Sequence, residues 1–152
     1  MVGLSLLLLV VALYGYSLAG GKQGQASFAG AYALHVGYLA YRGWFLGRFP
    51  VTELHDILLL MALIVASGMF LLRRRVSQET LRDIVPAFAM VFCLFAVFQE
   101  RIDTIEPNMN TGWFTLYISL FIAGYGLLSL SAVSGVGYLL TGGEAAERAQ
   151  YA

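Results

Sequence analysis

The chain has 152 residues and a formal charge of zero at neutral pH, nine Lys plus Arg balancing nine Asp plus Glu. Hydrophobic residues make up 59% of it and charged residues 12%, with a mean hydropathy of +0.75, whereas a soluble domain carries about 25% charged residues. The single cysteine, Cys93, excludes an internal disulfide, a multi-cysteine metal or Fe–S site and covalent c-type haem attachment; the balanced charge argues neither for nor against nucleic acid, which is not among the expected partners.

Five apolar stretches separated by short polar connections fill the sequence. A hydrocarbon core about 30 Å thick needs roughly 20 apolar residues of helix to cross it, and lipid offers the backbone no hydrogen-bond partners. The expected fold is therefore all-α, an integral membrane bundle of about five transmembrane helices over residues 1–141, with a polar C-terminal tail, 142–152.

The first span runs from Val2 to Ala19. Small residues at Ser17-Leu18-Ala19-Gly20 imitate a signal-cleavage site, but the basic region of a secretory signal is missing, so the stretch reads as a span. Gly20 to Gln25 reads as a flexible polar turn. The second span, Ser27 to Phe45, carries His35 and four tyrosines. The third, Leu54 to Leu72, ends against Arg73-Arg74-Arg75. The fourth, Ile84 to Phe98, is short and has Pro86 in its first turn, where a missing N–H matters least. The fifth, Trp113 to Leu140, is longer than a bilayer requires and is expected to tilt or project. The tail beyond Gly142 is expected to fray.

Arginine placement sets the expected orientation. Arg73, Arg74, Arg75 and Arg82 follow the third span, whereas Glu100, Arg101, Asp103 and Glu106 make the next connection net acidic. Cytoplasmic loops are those enriched in Lys and Arg. In a bacterial-type inner membrane this puts the N-terminus outside and the C-terminus in the cytoplasm.

Few groups in such a chain can carry chemistry. Imidazole is the side chain here best suited to haem iron. His35 lies mid-span, where an ionisable group usually faces the bundle interior or a cofactor. It reads either as an imidazole bonded to a neighbouring tyrosine or carbonyl, or as a ligand to a b-type haem. His55, in Thr52-Glu53-Leu54-His55-Asp56, reads first as part of a solvated helix start with Thr52 as N-cap, and second as a cofactor-binding or proton-handling group. Gly124, Ser131 and Gly135 form a stripe of small residues on the fifth span, first a packing face for a membrane-protein partner and second the floor of a cofactor slot. Trp44, Phe45, Phe49, Trp113 and Phe114 fall at the two outer loops, as an interfacial aromatic belt or as a stacking shelf for haem or quinone. No phosphate loop, nucleophile–base pair or mid-span carboxylate emerges, so neither an enzyme nor an ion pump is expected.

Arg42 to Leu58 reads Arg-Gly-Trp-Phe-Leu-Gly-Arg-Phe-Pro-Val-Thr-Glu-Leu-His-Asp-Ile-Leu. It resembles a signature of the cytochrome c assembly family (CcsA/ResC type, with HemX-like relatives), in which an Arg-Trp pair, a Gly-His-Phe-Pro turn and a Ser-Asn-Leu-Tyr-Glu-Ser-Leu helix entry follow in that order. Arg42, Gly47, Phe49, Pro50, Leu54 and Leu58 match, while Arg48 replaces a His, His55 a Tyr and Asp56 a Glu. Asn110 to Ser119 is similar to the family's Ser-x-Trp-Leu-x-x-His-Val-Ser helix start, with Tyr117 where the family has its haem-ligating His. The resemblance covers about Ser27 to Leu140 and corresponds to the front half of a family member. It implies haem handling in cytochrome c biogenesis and adds Trp113 and Tyr117 to His35 and His55 as cofactor-binding candidates; His35, the candidate iron ligand by its mid-span place, falls on no assigned family position. The family's Trp-Gly-x-x-Trp-x-Trp-Asp loop has no counterpart, so haem export and presentation are not expected of this chain alone. The expected role is non-catalytic haem binding or relay; the alternative is an anchor or accessory subunit of a larger respiratory or assembly complex.

Overall fold

The computed structural model describes residues 2–47, 49, 51, 53–72, 78–99 and 112–150. They form five α-helices: α1, Val2–Ser17; α2, Gly21–Leu46; α3, Leu54–Leu72; α4, Gln78–Val97; and α5, Gly112–Gln150. Among the described residues there is no strand. The all-α expectation holds.

The apolar runs locate the helices, while their ends follow local chemistry. α2 starts at Gly21, so Lys22 to Gln25 are helical rather than part of a loose turn. The reversal is compressed into Leu18–Gly20 because Gly20 and Gly21 both take positive φ, at 75° and 67°. Gly24 then lies so close to α1 that a Cβ there would sit 2.7 Å from the Ser17 carbonyl oxygen. At its far end α2 stops at Gly47, whose left-handed backbone turns its N–H onto the Gly43 and Trp44 carbonyls. α4 begins at Gln78, earlier than its apolar run, and Pro86 is consequently interior to the helix rather than in its first turn. Polar residues continued the helix where hydropathy ended. α5 likewise continues past Leu140 to Gln150, through the stretch expected to fray, because Glu144-Ala145-Ala146-Glu147-Arg148 are helix formers.

α1 packs on α2 and α4, and α3 packs on α4 and α5. One core runs through the first four helices. It takes Leu7, Val10 and Tyr14 from α1, Phe28 and Ala31 from α2, Leu59, Ala62 and Ala66 from α3, and Ala89, Cys93 and Ala96 from α4. Small residues on α3 and α4 allow close approach. α5 meets α3 through two glycines. A Cβ on Gly68 would lie on Leu130, and one on Gly126 would lie 2.6 Å from Cγ2 of Ile64.

By length and composition, Gly112–Ala132 is the one described stretch long and apolar enough to cross a membrane. Gly3–Ser17, Leu54–Met69 and Ile84–Val97 are apolar but shorter, about 21–24 Å at helical rise. α2, with Lys22, His35 and Arg42 along it, is the least apolar of the five.

Candidate functional site

Among the described residues, the buried ionisable side chains gather at two places along α2. The first is an ion cluster at the α2–α3 turn. Arg42 sits near the C-terminal end of α2, and the turn through Gly47 brings Glu53 and Asp56 back against it. Its Nε–H donates to Oδ1 of Asp56, and a terminal N–H donates to Oε2 of Glu53 at 2.5 Å. Arg42 and Glu53 are nearly buried and Asp56 is wholly so. A charge removed from water is tolerated only when paired and hydrogen-bonded, and one guanidinium here serves both carboxylates.

His55 extends the cluster to α4. Its Nδ1–H donates to the Ala96 carbonyl at 2.7 Å, in the last turn of α4. A carbonyl can only accept, so Nδ1 carries the proton and Nε2 accepts from the Tyr38 hydroxyl at 3.2 Å. The imidazole thus ties three helices and satisfies a helix-terminal acceptor. His55 and Asp56 are fully buried, so the solvated helix start expected of them does not exist. Thr52, the expected N-cap, lies outside the described residues, as do Arg48 and Pro50 of the motif.

The second place is His35, midway along α2 and fully buried against α1 and α3. Its Nδ1 lies 3.3 Å from the Tyr14 hydroxyl, and the two rings meet edge to face. The Leu59 backbone lies against the ring, and the buried Nε2 makes no hydrogen bond of ordinary geometry. His55 therefore has both ring nitrogens engaged, whereas His35 keeps one buried nitrogen uncommitted. Among the described residues no group of three or more His, Cys, Asp or Glu is arranged to hold a metal ion.

Alongside these places, the α2–α3 interface is thin and carries an open groove of about 460 Å³. Val36, Leu39, Ala40 and Gly43 of α2 face Leu60 and Leu63 of α3 across it, with Phe49 at one end. His35 does not line it, although Val36 and Leu39 flank His35 on the same helix.

The chain is similar to CcsA. Over 145 residues it is 21% identical to the cytochrome c biogenesis protein CcsA of Prochlorococcus marinus strains MIT 9303 and MIT 9313. The alignment takes in 90% of this chain and 46% of each relative, so the chain spans about half the length of the curated relatives it matches. No protein-family model matches, and no solved structure does.

The candidates on α5 sit apart from both polar places. Trp113 is 82% exposed and Tyr117 64%, with Tyr117 stacked on Phe121 and Phe121 tilted against Tyr125. Trp44 is 89% exposed at the end of α2. Gly124, Ser131 and Gly135 are exposed, and a Cβ on either glycine would meet nothing within 4 Å. Within this chain the close helix contact is made by Gly68 and Gly126 instead.

Sequence reasoning missed the ion cluster. The signal was available in Arg42: a cation inside an otherwise uncharged stretch of helix needs carboxylates, and Glu53 and Asp56 follow directly after the next turn.

Proposed function

We propose that this chain is an integral membrane bundle that binds or relays b-type haem without covalent chemistry, in cytochrome c biogenesis. The observation that carries the reading is the buried, uncommitted Nε2 of His35 in a chain that aligns with CcsA along 90% of its length. The exposed leucines and aromatics of α5 suit a lipid solvent, and the shorter apolar helices would be met by local thinning of the bilayer. The arginines around 73–82 belong to the cytoplasmic side, the N-terminus to the outside and the C-terminus to the cytoplasm.

His35 is the residue to hold the iron. When Nδ1–H donates to the Tyr14 oxygen, the Nε2 lone pair is left for a metal, and the Tyr14 hydroxyl, able to accept, can hold the ring in that tautomer. Haem, when bound, supplies a redox-active iron whose behaviour its axial ligand tunes. The donor fits; Leu59 stands across from it, so α2 and α3 must part for a macrocycle to reach it. His55 with Tyr38, Arg42, Glu53 and Asp56 holds the helix ends in register rather than touching the cofactor. Tyr117, at the position where the resembled family has its haem-ligating His, favours relay over delivery to an apocytochrome. Cells lacking the chain should accumulate c-type cytochromes with reduced covalent haem stain; undiminished staining overturns the assignment.

The second reading, a non-catalytic anchor or accessory subunit, is favoured by one observation: the open face at Gly124, Ser131 and Gly135. Small residues facing outward admit a partner helix.

A further inference from the structure

We infer that the exposed aromatic side chains at the Arg42 end of the bundle form one collar, seated in the headgroup–acyl boundary of a phospholipid bilayer. The inference deepens the membrane reading above and does not rest on haem. Three contacts bring the aromatics to one level. Arg42 meets Asp56, so Trp44 and Phe45 of α2 lie beside the start of α3, with Tyr41 stacked on Phe45. His55 reaches the Ala96 carbonyl, so Phe95 and Phe98 of α4 lie at the same height. Gly126 faces Ile64 and Leu130 faces Gly68, so α5 runs parallel to α3 in a fixed step. Carried back along both helices, that step sets Leu116 level with Leu54, and Trp113 and Tyr117 fall on either side of it. All of these rings are exposed.

Their arrangement decides what they meet. α2 stands on one flank of the bundle and α4 and α5 on another, and α2 makes no substantial contact with either. A docked partner covers one flank; rings at one height on separate flanks match a planar boundary in the surroundings. Trp and Tyr, each an apolar ring with a polar N–H or O–H, collect at membrane–water interfaces for that reason. The distance to the next polar level agrees. α2 exposes Lys22, Gln23 and Gln25 at its start, and from Lys22 to Trp44 a helix advances about 33 Å, close to the roughly 30 Å of a hydrocarbon core. Between the two levels the large exposed side chains are aliphatic, as at Val36, Val91 and Leu128, apart from Phe88, Phe121 and Tyr125. The collar therefore sets depth. The Arg42 clasp lies at the interface, and His35 lies about 10 Å deeper along α2.

The chain holds two tryptophans, Trp44 and Trp113, and both belong to the collar, so their fluorescence reads its depth. The protein is reconstituted into dioleoylphosphatidylcholine vesicles containing phosphatidylcholine brominated at a shallow, middle or deep acyl position. Trp44→Phe and Trp113→Phe each leave one reporter, on separate flanks. Both should lose the most emission to the shallow label and the least to the deep one, at depths agreeing within about 5 Å, one helical turn. In the Trp44→Phe, Trp113→Phe background, Leu128→Trp should reverse that order, because Leu128 is exposed and lies about 18 Å further along α5 than Leu116. Inserted protein in which either native tryptophan is quenched most by the deep label, or by no lipid label because protein or water covers it, overturns the collar alone. The wild type carries both reporters, so its own profile decides even where a variant fails to fold. Protein that does not float with the vesicles overturns the membrane reading and the collar with it. A shallow profile in a preparation that binds no haem leaves the collar standing.

Discussion

Replacing Arg42 with methionine is the sharpest perturbation of this fold. The substitution keeps a long aliphatic stem in the α2–α3 turn but removes the cation that neutralises Glu53 and Asp56. Asp56 is fully buried and its Oδ2 already lacks a partner, so no rotation of the carboxylate can recover hydration. Breaking a buried ion pair by deleting one member costs about 3–5 kcal/mol, and the guanidinium removed here serves two carboxylates rather than one. Set against a typical stability of about 5–15 kcal/mol, that is a large share of the total. For a chain of this size each kcal/mol moves the midpoint by about 2–4 °C, which predicts a fall of about 10 °C or more. Thermal melts followed by circular dichroism in detergent read it directly. The triple variant Arg42→Met, Glu53→Gln, Asp56→Leu removes the stranded charges together and should recover most of the loss, since apolar replacement of a whole buried ion cluster is often neutral. Arg42→Met melting within about 2 °C of the wild type would refute the claim that the cluster holds α2 to α3.

Three further outcomes follow from the same geometry. Gly126→Ala drives a methyl into the stiff, β-branched Ile64 and should destabilise by about 1–3 kcal/mol, whereas Gly124→Ala meets open space and should stabilise by up to about 1 kcal/mol through helix propensity; paired thermal melts separate them. Tyr14→Phe removes the hydroxyl beside Nδ1 of His35 and should weaken haem binding about 10–100-fold, measured by absorbance titration. In a Cys93→Ala background, a cysteine introduced at Arg74 should react with an impermeant maleimide only after cells are opened, and labelling of intact cells contradicts the orientation.

Helix number and type were legible because hydropathy reports them directly; helix ends were not. Lys22 to Gln25 look like a linker by composition, yet Gly20 and Gly21 turn the chain so sharply that the helix restarts at once. Pro86 looks like a helix start because apolar residues begin there, but Gln78 to Asp83 form helix too. The small-residue pattern on α5 was legible as a pattern and not as a partner assignment. Gly124 and Gly135 face outward, while Gly126, two positions along, makes the contact with Ile64. A one-dimensional spacing rule cannot say which side of a helix a neighbour occupies. The two histidines illustrate the same limit. Sequence places His35 mid-span and His55 at an acidic helix start, but only their folded partners say which ring nitrogens are engaged. Tyr38 and the Ala96 carbonyl occupy both nitrogens of His55, and Tyr14 occupies one of His35. The family-like stretch from Arg42 to Leu58 was recognised as a signature, and its folded role in this chain is a clasp. Asp56, where the family has Glu, still reaches the guanidinium.

The claim that matters most is that His35 offers its free nitrogen to haem iron. The direct measurement is the visible spectrum of purified His35→Gly protein titrated with haem, with and without free imidazole, beside the wild type and His55→Gln. The wild type and His55→Gln should develop the same Soret band, His35→Gly should lose it, and imidazole should restore it in the space the side chain vacated. A wild type that stays colourless, or a band indifferent to His35, contradicts the account.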